Sequence, residues 1–406
     1  MSDIDRKRAE KLLAAEGLDG MVLFRPEAFR YATGLAAGVA TMWGRAGSAI
    51  ALVPANAGAP LAAIMSDHAA GSARPIDIRT HRIWIDGVTV TNAASIADVD
   101  AAYRASGNIG PRPETFDQDA CFRLLADLLA ERNLSRATLG VDLDFMPAAD
   151  FARLKSLIPE VDWRDASDVL RRLRLIKNTR EIERLRRATT CAEAGLASLA
   201  HAAQPGLRAA DLSAAWLAGA RAEAIRNGHG LSGHWDYISI GADLQNAGAM
   251  LGDGDLIKAD VGTLVDGYSS DGARTFVWGK PSPLAADIYK ALLETFMAGV
   301  ETLRPGRRFG DVHETMLATM RRHGFKEYYR GHFGHSVGAA AGIEEWPFLS
   351  HGNDIVIEPD MVLALEAPFY ANGIGALMIE EQFLISPDGA QSMNRLPREL
   401  ISLGTI

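Results

Sequence analysis

The chain has 406 residues, enough for two domains that each bury a core, and its 48% hydrophobic and 23% charged residues are ordinary for a soluble globular protein. Its 42 basic against 51 acidic side chains leave a formal charge of −9, so it offers no basic footprint for nucleic acid or an anionic membrane. Cys121 and Cys191, the only cysteines, fall in different predicted domains without metal-ligand spacing and read as buried thiols of a reducing compartment.

Residues 1–20 are charged and helix-like, with no apolar signal core. The most apolar stretch, 49–65, is broken by Pro54, Asn56, Gly58 and Pro60 and cannot be a spanning helix, which makes the cytoplasm the expected setting. Up to residue 165 the pattern alternates: a helix over 5–17, a strand over 20–24, a strand near 49–53, a helix over 119–132 and a strand near 139–141. That alternation predicts an α/β layer domain with a mixed sheet. The alanine cluster at 94–102 reads as helix packing. Residues 165–171 lead into a long helix over 178–203, ended by Pro205-Gly206, and a second helix over 209–227. Strands around 236–279 and 361–386 should form a curved sheet, with helices over 283–303 and 309–323 between them.

The apolar run Leu256-Ile257-Lys258-Ala259-Asp260-Val261-Gly262 reads as a buried strand, and Asp266-Gly267 after it favours a type I′ hairpin turn. With those two residues in the turn, Val265 pairs with Tyr268 and Gly262 pairs with Asp271. Side chains alternate faces along a strand, so Asp260 and Asp271 meet diagonally on one face. Burying two like charges side by side is costly unless a cation sits between them. Farther on, His335 lies in the Gly-rich segment Gly331-His332-Phe333-Gly334-His335-Ser336-Val337-Gly338. Glu366 ends the apolar stretch from Met361, and Glu380 falls inside the apolar run 377–385. A carboxylate within each of two apolar strands needs a partner, and a metal supplies one.

Asp260-Val261-Gly262, Gly267 through Phe276 with Asp271 inside it, Gly334-His335, Glu366-Ala367-Pro368 and Ile379-Glu380-Glu381 together resemble the M24 metallopeptidases, the "pita-bread" enzymes. That family includes methionine aminopeptidase, aminopeptidase P, prolidase and creatinase. Leu173 through Ile182 and Phe29-Arg30-Tyr31-Ala32-Thr33-Gly34 resemble segments of the two-domain prolidase and creatinase branch. The resemblance implies an α+β chain: a creatinase/prolidase-like N-terminal domain over 1–165 and a pita-bread catalytic domain over 166–406. It implies that Asp260, Asp271, His335, Glu366 and Glu380 bind two divalent ions (manganese, cobalt, zinc or iron), that Glu366 serves as acid/base, and that the chain forms a homodimer. The expected chemistry is hydrolysis of a C–N bond by a metal-bridged hydroxide, most simply in an Xaa-Pro dipeptide.

The substrate side departs from the peptidase pattern. Position 342 is Gly, and Glu344 stands in the slot where peptidases of the family carry a substrate-binding His. The histidine that usually precedes the first Asp ligand is not evident, and Met378 precedes Ile379-Glu380 in place of the usual Arg. A small non-peptide metabolite of creatine, ectoine or dimethylsulfoniopropionate type, hydrolysed or eliminated, is therefore the alternative substrate. A pure binding module on this scaffold would have no need of five intact ligands. Candidate catalytic residues are Glu366, His332 and Glu344; candidate substrate-binding residues are His234, Trp235 and Glu344. His332 either faces substrate or packs in its loop, and His229 reads as a loop histidine. Glu381 either anchors the ligand beside it or lies on a surface strand. Trp43 and Trp84 either close a pocket or pack in a core.

Overall fold

The computed structural model of the chain describes residues 2–70, 76–82, 88–106, 113, 115–339 and 344–404. The chain divides into two compact units, Met1–Leu173 and Arg174–Ile406. This boundary falls later than 165/166, inside a helix that runs across it.

The first unit is built on a mixed six-stranded sheet. Its strands are β1 (Gly20–Leu23), β2 (Ile50–Pro54), β3 (Ala62–Ser66), β4 (Asp77–His81), β5 (Thr138–Val141) and β6 (Asp162–Asp165), in the order β4-β3-β2-β1-β5-β6. β1 runs antiparallel to β2 and parallel to β5, so the sheet is mixed, as the alternating pattern predicts. Helices α1 (Arg6–Ala15), α2 (Pro26–Thr33), α3 (Ile96–Ala105), α4 (Gln118–Glu131), α5 (Ala148–Leu157) and α6 (Ser167–Leu175) surround it. Val22, Leu52 and Ile64 face one cluster with Phe122 and Leu125 of α4; Met21, Ala51 and Val53 face another with Leu13, Phe29 and Tyr31. The segment Phe29 to Gly34 ends α2, and Gly34 caps it in the left-handed conformation at φ 71°. The alanine-rich helix α3 buries none of its residues, so the expectation of helix packing there is wrong. Alanine favours the helix without needing a partner surface.

The second unit opens with α7 (Thr179–Ala202) and α8 (Ala209–Arg226). Asn178 caps α7 in a reciprocal box with Glu181. A ten-stranded sheet follows: β7 (Gly233–Ile240), β8 (Leu256–Val265), β9 (Tyr268–Ser269), β10 (Gly272–Trp278), β11 (His332–Ser336), β12 (Glu345–Ser350), β13 (Val362–Ala371), β14 (Gly375–Ser386), β15 (Gly389–Ser392) and β16 (Ile401–Leu403). Its main path runs β12-β11-β13-β14-β10-β8-β7. Helices α9 (Pro283–Thr302) and α10 (Phe309–Arg322) lie between β10 and β11 in the chain, within a residue of their predicted ends.

Period-two alternation decides what each sheet face carries. Ile257, Ala259 and Val261 of β8 pack with Leu196 of α7 and Trp216 of α8, while Leu363, Leu365, Leu377 and Ile379 pack with Leu292, Phe296 and Phe309 of α9 and α10. The intervening residues, Asp260, Glu366 and Glu380 among them, therefore share the face away from the helices. Two loops also repeat: Pro205-Gly206 with Arg208–Asp211 recurs as Pro305-Gly306 with Arg308–Asp311, each Asp accepting from its Arg backbone N–H at 2.9 or 3.0 Å. No helix among the described residues is long and apolar enough to cross a membrane.

Candidate metal centre

The hairpin forms as the sequence predicts. Asp266 and Gly267 both adopt positive φ, 51° and 76°, as a type I′ turn requires, and Val265 pairs with Tyr268. The same register continues into β10, where Ala273 faces Asp260. One rung of the sheet then reads Tyr237, Asp260, Ala273, Glu380, Glu366, each directly opposite the next. The neighbouring rung begins at Trp235 opposite Gly262 and ends with Gln382, Ala364 and His335. Asp271 bridges its two parts, since it stands opposite Gly262 and its backbone N–H donates to Gln382 Oε1 at 3.3 Å. Five side chains, four from β8, β11, β13 and β14 and one, Asp271, from the connection between β9 and β10, thus meet on two adjacent rungs.

Two glycines make room for this. A Cβ on Gly262 would lie 2.3 Å from both the Ser270 carbonyl and the Trp235 ring. Gly334, at φ 135°, brings β11 so close to β13 that a Cβ would sit 2.0 Å from the Ala364 carbonyl.

Asp271, His335 and Glu380 present one donor atom each within a 4.8 Å span, and all three residues are buried. His335 Nδ1 donates to the Ser336 carbonyl at 2.9 Å, which fixes the tautomer and leaves the Nε2 lone pair facing inward. Nε2 lies 3.4 Å from Asp271 Oδ2 and 3.9 Å from Glu380 Oε1. Burial holds the His335 ring below its ordinary pKa, so it faces the carboxylates as a neutral acceptor. Asp271 Oδ1 is buried with no hydrogen-bond partner. Burial, with the neighbouring carboxylate charges, pushes Asp271 and Glu380 far above the usual carboxylate range. Acceptors converging without a donor are what a divalent cation satisfies, so these residues fit a metal.

The two other expected ligands have basic partners. Asp260 Oδ2 lies 3.1 Å from Lys258 Nζ, and burial raises its pKa despite that charge. Glu366 Oε1 lies 3.1 Å from His332 Nδ1 and 3.4 Å from Arg330 Nη2. Burial alone would raise Glu366; the His332 hydrogen bond and the charge of Arg330 outweigh it and hold the carboxyl low.

Among the expected substrate and catalytic residues, His332 sits at the centre's edge, and its Nε2 lies 3.8 Å from Glu344, which is 47% exposed. Trp235 shares the Asp260 face and donates from Nε1 to Ser269 Oγ at 3.1 Å. His234 does not belong here. It pairs with Thr263, whose hydroxyl bonds the Ala188 carbonyl of α7, and its ring lies 6.2 Å from Trp216 of α8. One step of strand parity places it on the opposite face from the ligands. His229 lies with Cys191 at 3.5 Å, also away from the centre. Glu381 is no surface residue: it is buried on the helix-facing side, bound by Arg274, Arg398 and Ser392. Through the Arg274 bond to the Glu380 carbonyl at 3.0 Å it fixes the strand that carries the ligand. Trp43, 43% exposed, stacks on Phe116 in the first unit; Trp84, and Gly342 with the rest of 340–343, lie outside the described residues.

Lys258, Arg330, Gln382, Tyr237 and Tyr370 are site neighbours that motif reading passes over. Lys258 and Tyr370 were accessible by parity, at i−2 from Asp260 and i+4 from Glu366. Arg330 precedes its strand and has no such signal.

Fold and site together define a carboxylate-rich metalloenzyme. The sequence pattern of the creatinase/prolidase N-terminal domain matches residues 6–176, and that of metallopeptidase family M24 matches residues 183–387. The chain belongs to metallopeptidase family M24. It is 28% identical over 276 residues to an Xaa-Pro dipeptidase of Pyrococcus furiosus, spanning 65% of this chain and 75% of that protein. Its fold is that of an Xaa-Pro dipeptidase from Bacillus anthracis, with a TM-score of 0.77, 21% identity and 98% and 99% of the two chains covered. Dipeptidase PepE from Mycobacterium ulcerans aligns with a TM-score of 0.74 at 24% identity, covering 98% of this chain and 96% of its own.

Proposed function

We propose that this chain is a metal-dependent hydrolase of C–N bonds, most simply an Xaa-Pro dipeptidase, with its metal held by Asp271, His335 and Glu380 and flanked by Asp260 and Glu366. The observation that carries this is the convergence of Asp271 Oδ2, His335 Nε2 and Glu380 Oε1 with no donor among them. A divalent ion bound there would acidify water and polarise the scissile carbonyl. The five acidic and imidazole donors are enough for two ions of manganese, cobalt, zinc or iron, and the filling of the second position depends on what already neutralises Asp260 and Glu366.

The protein's own groups divide the remaining work. Glu366, kept ionised by His332 and Arg330, takes the proton of the attacking water and returns it to the leaving nitrogen, so that hydroxyl goes to the carbonyl carbon and hydrogen to the amine. Trp235 and Tyr237 wall the substrate side from β7, their rings 5.9 Å apart. The reading includes a homodimer in the cytoplasm; both cysteines are free and buried, in keeping with a reducing compartment.

One observation favours a non-peptide substrate. Glu344 projects a carboxylate toward His332 at the edge of the centre, where it repels a substrate carboxylate and attracts a cationic or amidine-like group. Metal-loaded protein assayed on Xaa-Pro dipeptides and on creatine, cyclic amidines and betaines separates the readings by kcat/KM. Efficient dipeptide cleavage, unchanged in Glu344→His, supports the peptidase. A preference for the cationic compounds that Glu344→His reverses supports the second, and no hydrolysis by either class overturns both.

A further inference from the structure

Lys258 is a buried ammonium inside the centre that the hydrolytic reading does not use. It sits on β8 two residues before Asp260, so it projects from the same sheet face one rung away, opposite Thr275 and Ser239. Only 6% of the residue is exposed. Its Nζ lies 3.1 Å from Asp260 Oδ2 and 5.8 Å from the centroid of the Tyr370 ring, a cation–π distance. Asp260 in turn stands outside the tight cluster formed by Asp271, His335 and Glu380.

Charge balance gives this placement a consequence. The buried part of the centre holds four carboxylates, Asp260, Asp271, Glu366 and Glu380, and one neutral imidazole, while Glu344 at its edge is 47% exposed and screened by solvent. Lys258 neutralises Asp260 and Arg330 neutralises Glu366. What remains is the pair Asp271 and Glu380, whose two negative charges one divalent ion balances. A second divalent ion would leave positive charge in excess in a buried site, two units before a bound hydroxide is counted and one after, and uncompensated buried charge is costly. The second ion would also have to compete with a lysine already bonded to the oxygen it needs.

We propose that the Lys258 ammonium occupies the role of the second cation at Asp260, so that the protein retains one divalent ion, at Asp271, His335 and Glu380. This rests on the reading of the centre as metal-binding and fixes its stoichiometry. Lys258 then acts as a fixed single charge beside the reacting groups, one that neither exchanges with solution ions nor binds substrate oxygen as a Lewis acid.

The test counts metal. Full-length protein is saturated with manganese(II), passed through gel filtration in metal-free buffer, and its metal content measured by mass spectrometry. The same is done with Lys258→Met and with Lys258→Gln, whose shorter polar side chain keeps the site hydrated. The expected content is near one ion per chain for the wild type and near two for at least one folded variant. Isothermal titration should show a second binding event only in that variant. Two retained ions in the wild type would overturn the proposal while leaving the metal-binding reading intact. Folded Lys258→Met and Lys258→Gln that both stay at one ion would also overturn it, because the lysine would then not be what excludes the second. A wild type that retains no ion fails the metal-binding reading itself.

Discussion

Glu366 carries a carboxylate that burial alone would protonate, yet His332 and Arg330 hold it ionised. A group kept charged in a buried site, beside a histidine that can exchange a proton with it, is suited to acid/base work. Replacing Glu366 with Gln keeps its shape and removes the accepting oxygen, and should lower kcat by roughly 10²–10⁴ with metal saturating. Turnover close to wild type would assign the proton transfer elsewhere. Lys177 gives a pH dependence of another kind. Its ammonium is buried against Ser336, and burial lowers its pKa from 10.5 to about 8, against the opposing charges of Glu345 and Glu181. Between those values the unfolded chain binds the proton and the folded one does not, so stability rises with pH across the interval. Wild type should therefore gain on Lys177→Met between about pH 8 and 10.5, by at most about 3 kcal/mol. Thermal unfolding of both proteins across that range checks it, and parallel curves would show that Lys177 does not titrate there. The proposed metal ligands are readable in the sequence because each is a charged or imidazole side chain set within apolar or glycine-rich sequence. Arg330 is not, because its tie to Glu366 spans 36 residues and depends on how the strands register.

At the scale of elements, parity decided which residues share a face, and it is also where motif reading slipped. His234 and Trp235 are adjacent and share one expected role, yet one step along β7 sends them to opposite faces. Glu380 and Glu381 repeat that division on β14: the first faces the centre, the second the helices. Glu381 accepts from Arg274 at 2.7 Å with both side chains almost wholly buried. Arg274→Ala leaves that carboxylate with Arg398 and Ser392 and removes the bond to the Glu380 carbonyl. Breaking a buried pair from one side costs about 3–5 kcal/mol, so urea unfolding should show a loss of that order. A loss below about 1 kcal/mol would mean that Arg398 and Ser392 together satisfy Glu381. Helices with clear starts were legible: Ser282 and Pro283 begin α9, and Asn178 with Glu181 begins α7. Short strands such as β3, β4 and β6 were not, because four or five residues carry too little alternation to stand out from loops.

At the scale of the whole molecule, the proposed metal site belongs to one of two units, and removal of its ion should be felt unevenly. A ligand that binds only the folded state stabilises by about 2.7 kcal/mol at a hundred times its dissociation constant. That stabilisation acts on the unit holding Asp271, His335 and Glu380, whose donors come from β11, β14 and the hairpin beside β10. The motif order placed every expected ligand after residue 256, which made this asymmetry visible before any strand was paired. Chelation should therefore speed amide hydrogen exchange in β8, β10, β11, β13 and β14, while β1 to β6 of Met1–Leu173 keep their rates. Asp271→Ala should reproduce that pattern without chelator, because it removes a buried acceptor that only a cation or a proton satisfies. The exchange is followed peptide by peptide by mass spectrometry. Equal acceleration in both sheets would show that the ion stabilises the molecule as a whole, and no change in either would show that these residues do not hold one.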